Sequence, residues 1–363
     1  MPLKFKSFLQ AKPVYKGGKS KPVSRNGKKI YKLSSNENML GSSPKALAAI
    51  QAQVSTLNEY PDYSDIRFRL ALEKFYAGKL EANQFITTNS GVANIELITR
   101  AFLEEGTECI FSNPAFGPYR GFPKKVGAKS IDVPLIGANF QLDVPGILKA
   151  ITEKTRLIFV TNPNNPTGTH LPKTQIDELI NGLPDHVVLI YDEVYYQYVT
   201  ADDYVRAFPY VQAGKNVIGI NSFSKAYGLA GLRVGYAYST PEIAAYLQQL
   251  RRPFMINSLS MSAAIAALDD TEFIQRTVAL ILQEKDYLYA HLDQLGIPYW
   301  KTQANFILIK PDMDTDLFEA KMLEAGIMVR QTASFGAPGC VRVTIGTREA
   351  NAAFVAALQQ IRN

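Results

Sequence analysis

Apolar and polar positions along this chain follow two different periods. In residues 65–76, Ile66, Leu70, Leu72 and Phe75 recur near the helical repeat. That spacing predicts a helix from Asp65 to about Tyr76 with these side chains mostly on one side. Ser43–Pro44 predicts another helix start. Serine caps free N–H groups, proline tolerates the first helical position, and the helix runs from Lys45 to about Ser55. Further on, apolar residues bunch into short branched runs, Arg156–Val160 and Val187–Tyr191. Runs of this kind suit strands covered on both faces, as in a parallel sheet. Cys109–Phe111, Val217–Ile220 and Val234–Tyr238 are expected strands too. Asn94–Leu103 and Thr174–Asn181 are expected helices. Strand and helix in alternation argue for α/β architecture with helices on both faces.

After Pro241 helical stretches dominate as far as Leu295. Ala304–Ile309, Leu317–Glu324, Ile327–Val329, Val341–Ile345 and Arg348–Ile361 follow, a pattern that reads as a smaller α+β unit. The expected division is an N-terminal arm of residues 1–40, a large unit of residues 41–250 and a small unit of residues 251–363. No internal repeat interrupts it.

Composition narrows the class. Apolar residues make up 47% of the 363 and charged residues 20%, which excludes disorder, collagen and coiled coil for the whole chain. Lys and Arg outnumber Asp and Glu by 39 to 33, a formal +6. Part of this excess sits in Lys12, Lys16, Lys19, Lys21, Arg25, Lys28 and Lys29, which reads as a solvated arm. No nucleic-acid-reading motif accompanies it, and a modest positive charge suits anionic small molecules. Cys109 and Cys340 cannot staple a chain of this size, so two buried thiols in a reducing compartment are expected. His170, His186 and His291 are scattered, so no histidine metal site is expected. Nothing resembles a signal peptide or the ~18 apolar residues of a membrane helix. The reading is a cytoplasmic protein without membrane or nucleic-acid partners.

In open α/β sheets, ligands bind beyond the carboxyl ends of the strands. Three predicted strand ends carry chemistry. Arg156–Val160 leads into Asn164-Asn165-Pro166-Thr167-Gly168. Val187–Tyr191 leads into Asp192-Glu193-Val194-Tyr195. Val217–Ile220 leads into Ser222-Phe223-Ser224-Lys225, then Gly231-Leu232-Arg233. An amide, a carboxylate with a phenol, and a lysine flanked by hydroxyls therefore converge, as a cofactor site requires. Asp192 ends a central strand, so its carboxylate is expected to be partly desolvated and to need a cationic partner. Glu193 should point to the opposite side.

With these, Leu33-Ser34-Ser35-Asn36-Glu37-Asn38, Tyr60-Pro61-Asp62 and Arg342-Val343-Thr344-Ile345-Gly346-Thr347 complete seven linked motifs. From Tyr15 to the last helix the chain resembles the fold-type I aminotransferases of class I/II, which depend on pyridoxal 5′-phosphate. Within them it is most similar to the histidinol-phosphate aminotransferases. The resemblance implies a mainly parallel seven-stranded sheet sandwiched by helices, a smaller α+β domain, and a homodimer with shared active sites that the N-terminal arm helps to join.

It also implies residue roles. Lys225 would hold the cofactor aldehyde as a Schiff base and move protons. Asp192 would keep the pyridine nitrogen protonated. Tyr195 and Asn165 would bond the ring oxygen, and Phe116 would stack on the ring. Ser222, Ser224 and Arg233 would clamp the phosphate with the backbone N–H groups of Gly91, Val92 and Ala93 at a helix start. Relatives often carry acidic or amide side chains at those three positions, so this chain departs from the pattern there. Arg342, Arg330, Asn36 and Tyr15 would bind substrate, and Tyr60 would reach the neighbouring subunit's cofactor phosphate. No metal is implied. Ping-pong transfer from histidinol phosphate to 2-oxoglutarate is the implied reaction. An aromatic amino-acid aminotransferase is the alternative, and an amino-acid-phosphate decarboxylase a more distant one.

Readings from other classes find less support. Ser222-Phe223-Ser224-Lys225 satisfies the SxxK pattern of acyl-transferring serine enzymes, but no partner motifs occur. Gly18-Lys19-Ser20 lacks the strand and first glycine of a phosphate loop. A non-catalytic regulator on this scaffold would need a DNA-binding domain ahead of it, and 35 polar residues leave no room for one.

Overall fold

The computed structural model describes residues 3–4, 6–9 and 29–362; Tyr15 lies outside them. Seven strands form one sheet in the order Phe85–Thr88, Gly235–Tyr238, Val217–Ser222, Val188–Asp192, Thr155–Thr161, Glu108–Phe111 and Lys129–Asp132. Gly235–Tyr238 runs antiparallel to both its neighbours and every other pairing is parallel. The expected α/β class and mainly parallel sheet are present. The three central strands are the branched apolar runs, and nearly every residue in them is buried. Burying each such Leu or Ile contributes about 1.5–3 kcal/mol over exposure. One core lies on each face of this sheet.

A second, four-stranded antiparallel sheet orders Arg330–Gln331, Val341–Thr344, Phe306–Ile309 and Tyr299–Trp300. Its core draws on Phe318, Met322, Phe354 and Leu358 and on Ile281, Leu288 and Leu292 of the long helix Thr271–Gln294. Tyr31–Lys32 pairs with Ile327–Met328, so the chain crosses this unit before entering the large one.

Ser43 caps the helix Pro44–Gln53, as its position predicts, by accepting from the Ala46 N–H at 3.2 Å. Helix Ser258–Leu268 buries Met261, Ala263, Ala264 and Ala267 in the large-sheet core, against Pro44–Gln53. In helix Ile66–Phe75 the buried positions are Phe68 and Leu72, whereas Ile66 and Leu70 face outward. The expected face is therefore only partly right, because Ile66 and Leu70 are among the exposed apolar residues, as Leu47, Leu57, Tyr60 and Tyr63 are. Both cysteines are free and buried. Among the described residues, no helix is long and apolar enough to cross a membrane.

Candidate active site

Parallel strands deliver their carboxyl ends to one edge of the sheet. There Thr161 and Asp192 are register partners, and Asp192 pairs with Ile220, two residues before Ser222. A cavity of about 410 Å³ opens over these ends and reaches the small unit through Arg330, Phe335 and Arg342.

Lys225 enters it from the loop that follows Val217–Ser222. Its Nζ donates to the Ser35 carbonyl at 2.9 Å. Burial, followed by the positive charge of Arg342, pulls the ammonium down to about 7, with Glu37 opposing. Near neutral pH a large share of this amine is thus uncharged, the form that attacks an electrophilic carbon.

Asp192 lines the same cavity, 5% exposed. Its Oδ2 accepts from the Tyr119 hydroxyl at 2.6 Å and its Oδ1 from the Val194 N–H at 3.3 Å. Tyr119 in turn accepts from Thr161 at 2.8 Å and stacks on Phe159. Burial pushes the carboxyl up to about 6 despite the hydrogen bond from Tyr119, which holds it down. Glu193 points to the other face of the strand, as alternation requires. It is fully buried there, paired with Arg206 at 2.8 Å.

Arg342 is fixed from two sides. Its Nη1 donates to Asn165 Oδ1 at 2.5 Å and its Nη2 to the Ser34 carbonyl at 2.9 Å. Arg330 is its register partner on the adjacent strand, and both guanidinium groups lie 5.3–5.4 Å from the Phe335 ring centre. Tyr195 accepts from Asn36 Nδ2 at 3.0 Å, and Asn36 is anchored by Thr344 at 2.9 Å. Ser222 and Ser224 bond each other at 3.0 Å, and Arg233 borders the same corner in a left-handed conformation. Phe116 lines the cavity with its ring edge-on to Tyr119.

Helix Gly91–Phe102 starts at this corner, with Ser90 as its cap. Ala93 does not line the cavity; its N–H is taken by Ser90, at 3.1 Å from both Oγ and the carbonyl. Gly91 and Val92 do line it, and as the first two helical residues their N–H groups have no intrahelical acceptor. A Cβ on Gly235 would lie 2.6 Å from Gly91 N, so only glycine lets this strand close beneath the helix start.

The structure therefore gathers Lys225, Asp192, Tyr195, Asn165 and Phe116 around one cavity with Ser222, Ser224 and Arg233. Asn36, Arg330 and Arg342 complete it. Tyr60 stands apart, 85% exposed, with its ring 5.0 Å from that of Phe254. The sequence reading did not single out Tyr119, Thr161, Phe335, Glu37 or the carbonyls of Ser34 and Ser35. Tyr119, in the first turn of helix Pro118–Lys125, meets Asp192 across 73 residues, and no local pattern signals that contact. A backbone carbonyl carries no signal in residue identity.

A family model, Aminotransferase class I and II, matches residues 28–358. The chain belongs to the class I and II aminotransferases. It is 38% identical over 98% of its length to the histidinol-phosphate aminotransferase of Moorella thermoacetica, covering 92% of that protein. The enzyme of the same name from Geobacillus thermodenitrificans is 36% identical over 96% of this chain and 95% of its own. Among solved structures, histidinol-phosphate aminotransferase from Sinorhizobium meliloti, in complex with pyridoxal-5′-phosphate, superposes with a TM-score of 0.84 over 98% of this chain and 97% of its own, at 23% identity.

Pyridoxal 5′-phosphate is the cofactor of this aminotransferase family, and the cavity fits it. A lysine amine held near neutrality suits the aldehyde. A buried, partly solvent-shielded carboxylate suits a protonated ring nitrogen. Two hydroxyls, an arginine and a helix start, packed too closely for a Cβ at Gly235, suit the phosphate.

A pH dependence follows for this aminotransferase. The raised carboxyl of Asp192 loses its charge as pH falls through about 6, and a neutral carboxyl would no longer pair with a cationic ring held against it. Cofactor affinity, measured by fluorescence titration between pH 8 and 5, should therefore drop around that pH. Tyr119→Phe removes the bond that holds the carboxyl down, so the drop should move to higher pH. An unmoved drop would contradict this account of Asp192.

Proposed function

We propose that this aminotransferase moves the amino group of histidinol phosphate to 2-oxoglutarate with ping-pong kinetics. The observation that carries the donor is the pair Arg330 and Arg342. They sit on adjacent strands in register, flank one phenylalanine ring, and border the cavity from the side of the small unit. Two adjacent guanidinium groups match a phosphate dianion, which spreads its charge over three oxygens. A second carboxylate of 2-oxoglutarate fits the same pair in the other half of the cycle. The names of the Moorella thermoacetica and Geobacillus thermodenitrificans relatives support this donor.

In this reading Lys225 attaches the cofactor, Asp192 faces its ring nitrogen, and Tyr195 and Asn165 face its ring oxygen. Ser222, Ser224, Arg233 and the N–H groups of Gly91 and Val92 hold its phosphate, and Phe116 covers the ring. When bound, the cofactor supplies an aldehyde for amines and a cationic ring that accepts an electron pair. The protein does the rest. Arg330 and Arg342 fix the distal end of the substrate. Lys225 Nζ, once released, takes the proton from the substrate's α-carbon, and the Ser35 carbonyl orients that nitrogen. Asn36 donates to Tyr195 and so fixes the place of its hydroxyl.

A homodimer in the cytoplasm is part of the same proposal. Support for the dimer comes from the exposed cluster of Tyr60, Tyr63 and Phe254, with Leu57 and Leu70 nearby in sequence, an apolar surface of the sort that association covers. Tyr60 lies outside its own chain's cavity, which suits a residue that serves the neighbouring one.

The test of the donor is a panel of histidinol phosphate, phenylalanine and tyrosine, each with 2-oxoglutarate. Two charge-assisted contacts to phosphate should give histidinol phosphate at least an advantage of about 100-fold in kcat/KM. Equal or better use of an aromatic amino acid would overturn the donor while leaving the aminotransferase family intact.

A further inference from the structure

On the face of the large sheet opposite the cavity lies a fully buried carboxylate that the chemistry above does not use. Glu193 Oε1 accepts from Asn221 Nδ2 at 2.8 Å, from the Tyr238 hydroxyl at 2.6 Å and from Arg206 Nη2 at 2.8 Å. Its Oε2 accepts from the Ala207 N–H at 3.0 Å. Arg206 also donates to Tyr76 at 2.7 Å and lies over the Tyr196 ring at 3.7 Å. So many donors on one carboxylate fix it in place.

The position of this network along the strands gives it meaning. Glu193 directly follows Asp192, and Asn221 directly precedes Ser222. Side chains alternate across a strand, so Asp192 and Ser222 face the cavity while Glu193 and Asn221 meet behind it. The Glu193 N–H also donates to the Ile220 carbonyl at 3.1 Å, which ties the same two strand ends through the backbone. Tyr238 brings in the next strand, and Gly219 clears the space beneath its ring, where a Cβ would collide with it. Three strands are thus joined at one carboxylate.

We propose that Glu193 and Asn221 are positioning residues: their hydrogen bond behind the sheet sets the separation between Asp192 and the Ser222–Ser224 hydroxyls. This rests on the cofactor reading, in which those two groups hold opposite ends of one rigid molecule. Pyridoxal 5′-phosphate has a fixed span from ring nitrogen to phosphate. A binding site that grips both ends gains affinity only when its own span matches.

The experiment separates a two-point ligand from a one-point ligand. Pyridoxine 5′-phosphate carries both the ring nitrogen and the phosphate but has no aldehyde, so Lys225 adds no covalent link. Inorganic phosphate engages one end only. Both are titrated calorimetrically into cofactor-free wild type, Asn221→Ala and Tyr76→Phe. In Asn221→Ala, pyridoxine 5′-phosphate should bind about tenfold more weakly, the effect of losing one hydrogen bond to a charged group, while inorganic phosphate stays within about twofold. Tyr76→Phe removes an acceptor of Arg206 but no contact of Glu193, so both ligands should bind it as they bind wild type. Tyr238→Phe removes a second donor with little change of volume and should show the same asymmetry, which keeps the test available if Asn221→Ala folds poorly. Unchanged pyridoxine 5′-phosphate binding in Asn221→Ala and Tyr238→Phe would overturn the clamp. Equal weakening of both ligands would do so too, because that signals general damage. Wild type that binds neither ligand would instead overturn the cofactor reading, and the clamp with it.

Discussion

Lys225→Ala should lower turnover by on the order of 10⁴-fold or more while leaving the fold and the phosphate corner intact. The size of the effect follows from the two roles that the proposed function gives one nitrogen. Nζ is the only amine bordering the cavity among the described residues, so no neighbour replaces it as the attachment point. It is also the group placed to carry a proton, held near neutrality by burial and by Arg342. Alanine removes both functions but disturbs little else, because the Ser35 carbonyl that loses its donor lies at the edge of the cavity and can turn to water. Single-turnover and steady-state rates, with circular dichroism as the control for folding, check this. A variant within tenfold of wild type would remove Lys225 from its role. Such a mild loss is far below what proton transfer by a positioned base contributes.

Arg342→Lys is the second large effect, and it should appear although the charge is kept. Arg342 spans Asn165, in the turn after strand Thr155–Thr161, and Ser34, on the segment that crosses from the small unit, with two nitrogens of one planar fork. Lysine offers a single nitrogen on a flexible stem and cannot hold both contacts while also facing an anion. Each lost charge-assisted bond is worth about 1.5–3 kcal/mol, so kcat/KM for the donor should fall by about 10²-fold or more. Most of this loss should fall in KM, since in the proposed function Arg342 meets the end of the substrate remote from the reacting carbon. Arg330→Lys should cost less, because Arg330 is the more exposed of the two. A loss confined to kcat would contradict the placing of substrate anion at this pair.

How much of this was legible in the sequence depends on what each residue's partner is. The central strands were readable because they are covered on both faces and so are apolar throughout. The two edge strands, Phe85–Thr88 and Lys129–Asp132, went unread. The first, Phe85-Ile86-Thr87-Thr88, offers only two apolar residues, and the second is half-exposed, with Lys129 and Asp132 at its ends around Ser130 and Ile131. The chemistry at strand ends was readable because an α/β sheet forces ligands there. Asp192 and Glu193 could be told apart by alternation alone, and the burial of both confirms why each needs its own partners. Tyr119 was not readable as the partner of Asp192, because that contact joins residues 73 apart and depends on how helix Pro118–Lys125 docks. The outward turn of Ile66 and Leu70 escaped for a related reason. Periodicity gives the direction of an apolar face but not whether this chain or another covers it.

The most direct test of the whole account is chemical. Purified protein is saturated with pyridoxal 5′-phosphate, reduced with borohydride, digested and mapped by mass spectrometry. The account predicts one stable cofactor adduct per chain, carried by Lys225 and absent from Lys225→Ala. Protein that stays unlabelled, or label spread over surface lysines with Lys225 untouched, would contradict it.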